Sequence, residues 1–536
     1  MRLRNRGFWL ALSVLALGAL LGGLYGPRVQ ATGAATDVQD AIKQFTRVFA
    51  IVEQNYADPV DAERALYQGA IPGMLRTLDP HSAFFDPRSF RLLREEQHGR
   101  YYGVGMQVAP RDGKTVVLAP FYNSPAYRAG IRPGDVILGV DGKSTANMTT
   151  TEVADMLKGP KGTAVSITLG REGLLEPLNV SVVRDEIPRH GVDQYLLVRP
   201  GIGYIRLTSF NEVTDKELAE ALVKLNARNL QGLILDLRNN TGGLLSAGVA
   251  VADMFLQKNQ IIVSHRGRGA EKPYYATRGS GGLDVPVIVL INHYSASAAE
   301  IVAGALQDHD RGLVLGETSF GKGLVQTIYP LDEDAGLALT TAKYYTPSGR
   351  LIQRDYAHVS LYEYYYGPKG NRTKEAEVKQ TDAGREVFGG GGITPDVTVP
   401  TPELNRFQQL LLRRDVVYPL EMGVGGFAKH YLAEHPDIAR DFQANDEVLQ
   451  DFRKFLDQQK VSFTEPDITE NLDWIKRKIK RELFLSIYGA NEAFRVELEG
   501  DVQVQKAITS IPLARELNDK AKRVLAERLS QPRIRR

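Results

Sequence analysis

The stretch from Val285 to Thr327, VPVIVLINHYSASAAEIVAGALQDHDRGLVLGETSFGKGLVQT, constrains this chain more than any other. It opens on an apolar, β-branched run between Pro286 and Asn292, which predicts a strand buried on both faces. Small residues follow from Ser295 to Ala299. From Ala299 to Leu306 the apolar positions fall at helical spacing, and Gln307-Asp308-His309-Asp310 forms a polar exit. Ser297 is thereby placed at a helix N-terminus, where free amides and the helix dipole favour a developing negative charge. Further on, Lys322 lies in Phe320-Gly-Lys-Gly, between glycines that let the backbone turn sharply. A serine that attacks a carbonyl needs a proton acceptor, and a lysine supplies one when burial lowers its pKa. Ser297 and Lys322 are the candidate pair.

The string SASAAEIVAGALQDHDRGLVLGETSFGKGLVQ resembles the active-site region of the C-terminal processing (tail-specific) serine proteases. That resemblance implies Ser297 as nucleophile and Lys322 as general base. It also implies Gln326, one helical turn past the lysine, as the group that orients its amine. Ser295 is left outside the chemistry, and Ala299 stands where many relatives carry a third, non-catalytic serine. Upstream, Gly232-Leu-Ile-Leu-Asp-Leu-Arg238 reads as a strand running into Asn239-Asn-Thr-Gly-Gly243, where adjacent glycines can present amides to an oxyanion. The family's DLRxNxGG pattern implies Gly243 as one donor and Ala298 as the other, with Gly242 as the alternative register. The resemblance covers about residues 40–400, ending at GGITPDVTV.

Strands and helices alternate through residues 187–400, which predicts an α/β core, and the resemblance implies a protease core of the type this family shares with crotonase-like proteins. Residues 95–186 are short strands around SPAYRAGIRPGDVILGVDGKS, which resembles a PDZ domain. Such a domain takes a peptide C-terminus as an added strand. The resemblance makes Gly103, Val104 and Gly105 the carboxylate loop, and Met106 to Val108 the start of the receiving strand. Residues 37–94 form an N-terminal helical region, with Val38, Ile42, Phe45, Val48, Phe49 and Val52 on one face. His81, in Leu78-Asp-Pro-His-Ser, is assigned a structural role. In residues 1–31, Arg2, Arg4 and Arg6 precede an apolar run from Phe8 to Leu24, the pattern of a signal peptide or signal anchor. Export to the periplasm or cell envelope is the expectation, with cleavage or membrane anchoring left open.

Residues 403–536 form a helical C-terminal extension in which Leu472, Ile475, Ile479, Leu483 and Ile487 make one stripe. The expected partner for that stripe is a second copy of the chain, with adaptor docking as the alternative. A net charge of +2 argues against a dedicated nucleic-acid binder, and the absence of cysteine excludes a thiol nucleophile and disulfides. No histidine pair has metal-ligand spacing, so neither metal nor other cofactor is expected. His293 is the alternative base, whereas His309 falls about 18 Å from Ser297 at the helical rise. The resulting expectation is an exported serine endopeptidase that processes or degrades envelope proteins and recognises their C-terminal tails. The competing readings are a non-catalytic PDZ scaffold and an acyl hydrolase of small esters.

Overall fold

The computed structural model describes residues 34–111, 113–171, 173–269, 271–281, 283–367, 377–418 and 425–530. The signal segment at 1–31 lies outside the described residues. Among the described residues no helix is long and apolar enough to cross a membrane. The chain divides into two compact units, residues 1–77 and 78–536. In the first, the helix Ala34–Asn55 carries Val38, Ile42, Phe45, Val48, Ile51 and Val52 at helical spacing, each 43% to 59% exposed. The turn at Leu78 to Ser82 begins the second unit. Asp79 fixes that turn by accepting the N–H groups of His81 and Ser82, and the helix Pro87–His98 follows.

The second unit is built on a six-stranded sheet in the order Val192–Arg199, Ile202–Leu207, Gly232–Asp236, Val287–Ile291, Gly312–Gly316 and Val397–Thr398. The first pair is antiparallel and the rest are parallel. Every residue of the three middle strands is buried, so the apolar runs GLILD, VIVLI and GLVLG need cover on both faces. One face is covered by the helices Thr214–Lys224, Leu245–Asp253 and Ala298–Asp308.

The other face is covered by the C-terminal extension. Ile234, Ile288, Leu290 and Leu315 pack against Phe494, Leu498, Val504 and Ile511, which lie on the helices Ala490–Glu499 and Val502–Ser530. The sheet is incomplete without them. Gly232 allows the close approach: a Cβ there would lie 2.3 Å from Ile511 Cδ1. Residues 406–483 hold a separate core that includes Phe427, Phe452, Leu456, Ile475, Ile479 and Leu483. The stripe expected to meet a second copy is thus spent inside the chain, and of its five members only Ile487 is exposed, at 42%.

A second sheet places the antiparallel strands Leu324–Pro330 and Gly336–Tyr345 beside the core, with Ile261–Gly267 and Ala83–Phe85 paired to the latter. The PDZ region forms its own sheet from Met106–Arg111 to Leu178–Val183, and the helix Thr150–Leu157 closes its core by packing Val153 and Leu157 over Val117, Ile137 and Val140. Two strands flank Val104 and Gly105. Gly105, at φ 76°, separates them, so that Arg100–Gly103 pairs with Asp185–Pro188 and Met106–Arg111 with Lys114–Pro120.

Candidate active site

Two turns at the ends of neighbouring strands are fastened together. Ser295, fully buried, donates its hydroxyl to Leu237 O at 2.8 Å and accepts the Asn292 N–H at 3.0 Å, so both its hydrogen and a lone pair are engaged within the turn. Asn292 and Asn239 exchange two hydrogen bonds, Asn239 N–H to Asn292 Oδ1 at 2.9 Å and Asn292 Nδ2–H to Asn239 Oδ1 at 2.8 Å. Ala296 N–H then donates to Asn240 O at 2.9 Å. Between these ties Ser297 sits at φ 55°, ψ −116°, in the half of backbone space that strains a residue with a side chain, and it caps the helix Ala298–Asp308.

Glu300 holds this turn to the lysine. It is fully buried, and its Oε2 accepts the N–H of Ser297 at 2.8 Å and of Lys322 at 2.9 Å. Its Oε1 accepts the Gly321 N–H at 2.7 Å and the Ser319 hydroxyl. Burial raises the carboxyl pKa, and these four donors pull it back towards the charged form. The Tyr344 hydroxyl bonds the carbonyls of both Ser297 and Lys322. Sequence reading passed over Glu300, although Ser297-Ala-Ala-Glu300 has the S-x-x-E form of a capping box.

Ser297, Lys322, Gln326, Gly242 and Gly243 line one cleft of about 630 Å³, whose other walls include Leu244, Leu245, Ile301 and Leu324. Burial lowers the Lys322 pKa, opposed by the negative charges of Glu300 and Asp79. Gln326 departs from its expected placement: it lies on the strand Leu324–Pro330, not on a helical turn, and its amide donates to Thr340 Oγ1 at 3.2 Å. The two glycines are distinguished by their amides. Gly242 N–H donates to Asn240 Oδ1 at 2.8 Å, whereas Gly243 N–H has no acceptor among the described residues. Both have positive φ, and Cβ atoms there would lie 2.7 Å from Ser297 Cβ at Gly242 and 2.1 Å from Phe210 O at Gly243. The first of these hypothetical atoms would also stand 2.9 Å from the Ala298 N, so the Gly-Gly turn abuts both the Ser297 turn and the helix start.

The histidines sort by position. His81 lines the cleft, bonds Tyr364 OH at 2.8 Å, and has its pKa lowered to about 4 by burial and by the charge of Lys322. His293 does not line the cleft and faces Glu317 at 3.4 Å, while His309 is held by Asp382 and Ile261 O at the far end of the helix. Among the described residues no cluster of carboxylates and histidines could hold a metal ion. In the PDZ region, Val104 O accepts from Ala126 N–H at 2.8 Å and Gly105 O from Phe121 N–H at 3.0 Å. Both carbonyls are thus engaged by the domain, while the amides of Val104 and Gly105 have no backbone acceptor among the described residues. Gly103 ends the preceding strand, and the Val104 and Met106 side chains are buried in the PDZ core.

Residues 201–358 match peptidase family S41 and residues 120–171 a PDZ domain. Residues 27–89 match the activating protease CtpB N-terminal domain, and residues 423–466 the family described as probable PDZ-protease, C-terminal helical domain. The carboxy-terminal-processing protease of Bartonella bacilliformis is 42% identical over 324 residues, which cover 59% of this chain and 74% of that protein. The chain belongs to the carboxy-terminal-processing protease family. The carboxyl-terminal-processing protease of Synechocystis is 36% identical over 375 residues, covering 66% of this chain and 86% of that protein. Among solved structures, the photosystem II D1 C-terminal processing protease shares 31% identity at a TM-score of 0.35, with 64% of this chain and 84% of that chain covered. The S41 match contains the sheet strands and helices that carry the Gly-Gly turn, Ser297 and Lys322. Residues 490–530, which cover the back of that sheet, fall outside all four family matches.

Proposed function

We propose that this processing protease is a serine endopeptidase in which Ser297 is the nucleophile and Lys322 the general base. The observation that carries the reading is the single buried carboxylate of Glu300, which binds the backbone amides of both residues at the wall of one cleft. Burial favours the neutral amine of Lys322, the form able to accept a proton. The Ser297 Oγ–H proton passes to Lys322 Nζ as Oγ bonds the scissile carbonyl carbon. The oxyanion that forms is met by the N–H groups of Gly243 and Ala298. Collapse breaks the peptide C–N bond, Lys322 returns the proton to the leaving amine, and water repeats the sequence to release the acyl group from Ser297. Gln326, with its amide fixed by Thr340, belongs to the cleft wall beside the lysine.

The PDZ loop selects substrates by their C-terminal tails, since free amides at Val104 and Gly105 suit a terminal carboxylate. Substrates are envelope proteins, a reading supported by the arginine-led apolar segment at residues 1–31. Self-association, expected from the C-terminal helices, finds little free apolar surface there. The unburied stripe lies instead on Ala34–Asn55. The test is incubation of candidate envelope proteins with the wild type and with Ser297→Ala, the products being identified by mass spectrometry. Cleavage by the wild type alone is expected. Equal cleavage by both would remove Ser297 from the chemistry, and cleavage of small esters without proteins would favour the acyl-hydrolase alternative.

A further inference from the structure

Arg238 lies between the strand Gly232–Asp236 and the Gly-Gly turn, and its guanidinium enters a pocket of about 270 Å³ that shares no residue with the catalytic cleft. One edge is held by its own strand: Nε lies 3.0 Å from both oxygens of Asp236, whose Oδ2 also accepts the Tyr204 hydroxyl at 2.7 Å. The other edge is held by the C-terminal extension. Arg238 Nη1 donates to Asp501 Oδ1 at 3.1 Å and to Gln503 Oε1 at 2.8 Å, and Nη2 stands 2.8 Å from Asp501 Oδ2. The same Asp501 carboxylate accepts the N–H groups of Gln503 and Val504 and so caps the long helix Val502–Ser530. Gln503 is itself fixed by donating to Val399 O at 2.7 Å.

From Arg238 the connection to the reacting groups is unbroken. Asn239 is tied to Asn292, Asn240 O takes the N–H of Ala296, and Asn240 Oδ1 takes that of Gly242. A guanidinium gripped along both edges by fork-like bonds has little freedom to rotate. We infer that Asp501 and Gln503 are positioning residues for proteolysis: by gripping the outer edge of Arg238 they set the turn 239–243 against Ala298. The C-terminal helix thereby belongs to the framework of the oxyanion site. This inference rests on the roles proposed above for Ser297, Gly243 and Ala298.

The test compares full-length wild type, Asp501→Asn and Gln503→Leu. Asparagine caps a helix about as well as aspartate, so Asp501→Asn keeps the cap through Oδ1 while it removes the charge and the oxygen that face Arg238 Nη2. A loosened oxyanion donor lowers kcat with little change in KM, and a fall of about tenfold or more is expected in Asp501→Asn. A peptidyl aldehyde, whose adduct oxygen occupies the oxyanion site, is expected to lose affinity in the same proportion. The cleaved product peptide should bind as it does to the wild type. Gln503→Leu should move the same readouts in the same direction, and it carries the test if Asp501→Asn does not fold. Wild-type kcat and aldehyde affinity in a folded Asp501→Asn protein would overturn the inference and leave the helix a cover for the sheet. A parallel Ser297→Ala control that still cleaves would instead overturn the catalytic reading.

Discussion

Glu300 accepts the backbone N–H of Lys322 at 2.9 Å with the same oxygen that accepts the N–H of Ser297 at 2.8 Å. Four donors converge on this carboxylate, two on each oxygen, and the isosteric Glu300→Gln turns an NH₂ that cannot accept towards two of them. A buried group left facing a donor costs about 1–3 kcal/mol, so a lowered melting temperature is expected. An ångström-scale misplacement of nucleophile and base costs about 100-fold in rate. Assay of folded Glu300→Gln should show a loss of that order, and a wild-type rate would show that the carboxylate does not align the pair.

Burial holds the Lys322 pKa below its usual value. In the proposed mechanism the active form is the neutral one, whose fraction grows as pH rises through that lowered pKa. The ratio kcat/KM should therefore climb about tenfold per pH unit below it and level off above. The charged groups facing the amine are Glu300 and Asp79, while His81, with its pKa near 4, stays neutral and adds no step in the neutral and alkaline range. Lys322→Arg keeps its proton at all these pH values and should be inactive throughout. A flat profile in the wild type would contradict a lysine base.

Gly243→Ala should abolish cleavage, because its Cβ would meet Phe210 O at 2.1 Å and its φ of 142° disfavours a side chain. Backbone must shift for the substitution to fit, and the shift displaces the amide assigned to the oxyanion. Wild-type rates in Gly243→Ala would remove this turn from the account.

Deletion of residues 490–536 should give an insoluble or unfolded protein rather than a smaller oligomer, since it uncovers Ile234, Ile288, Leu290 and Leu315. Gly232→Ala tests the same contact gently, by forcing a Cβ to 2.3 Å from Ile511 Cδ1. Overpacking of this kind costs about 1–3 kcal/mol, measurable by thermal or denaturant unfolding. A soluble, active truncation would show that the sheet needs no cover on that face.

The strand, turn and helix around Ser297 were legible because burial on both faces leaves an unbroken apolar run, and helical spacing then resumes after small residues. The destination of the last helix was not. An amphipathic stripe records that a partner surface exists, but Ile511 and Val504 do not encode whether that surface is a second copy or the chain's own sheet. Gln326 was misplaced for a related reason: a spacing of four from Lys322 suits a helical turn, yet Gly323 and the pairing with Gly336–Tyr345 draw it into a strand. Glu300 was legible in principle as the fourth residue of a capping box, but its bonds to Gly321 and Lys322 are long-range. Asp501 and Arg238, likewise, are brought together only by the fold.

The free amides at Val104 and Gly105 predict that the protein binds a peptide with a C-terminal carboxylate well, and its amidated twin at least about tenfold more weakly, because charge-assisted bonds are lost. Isothermal titration of Ser297→Ala with the two peptides checks this. Equal affinities would place tail recognition elsewhere.

In the proposed reaction Ser297 attacks and Lys322 takes its proton. Intact-protein mass spectrometry after acid quench during turnover of a peptide ester tests it most directly. The wild type should gain the mass of the acyl group, mapped to Ser297, and neither Ser297→Ala nor Lys322→Ala should gain it. An adduct on another residue, or one formed at the wild-type rate in folded Lys322→Ala, would contradict the account.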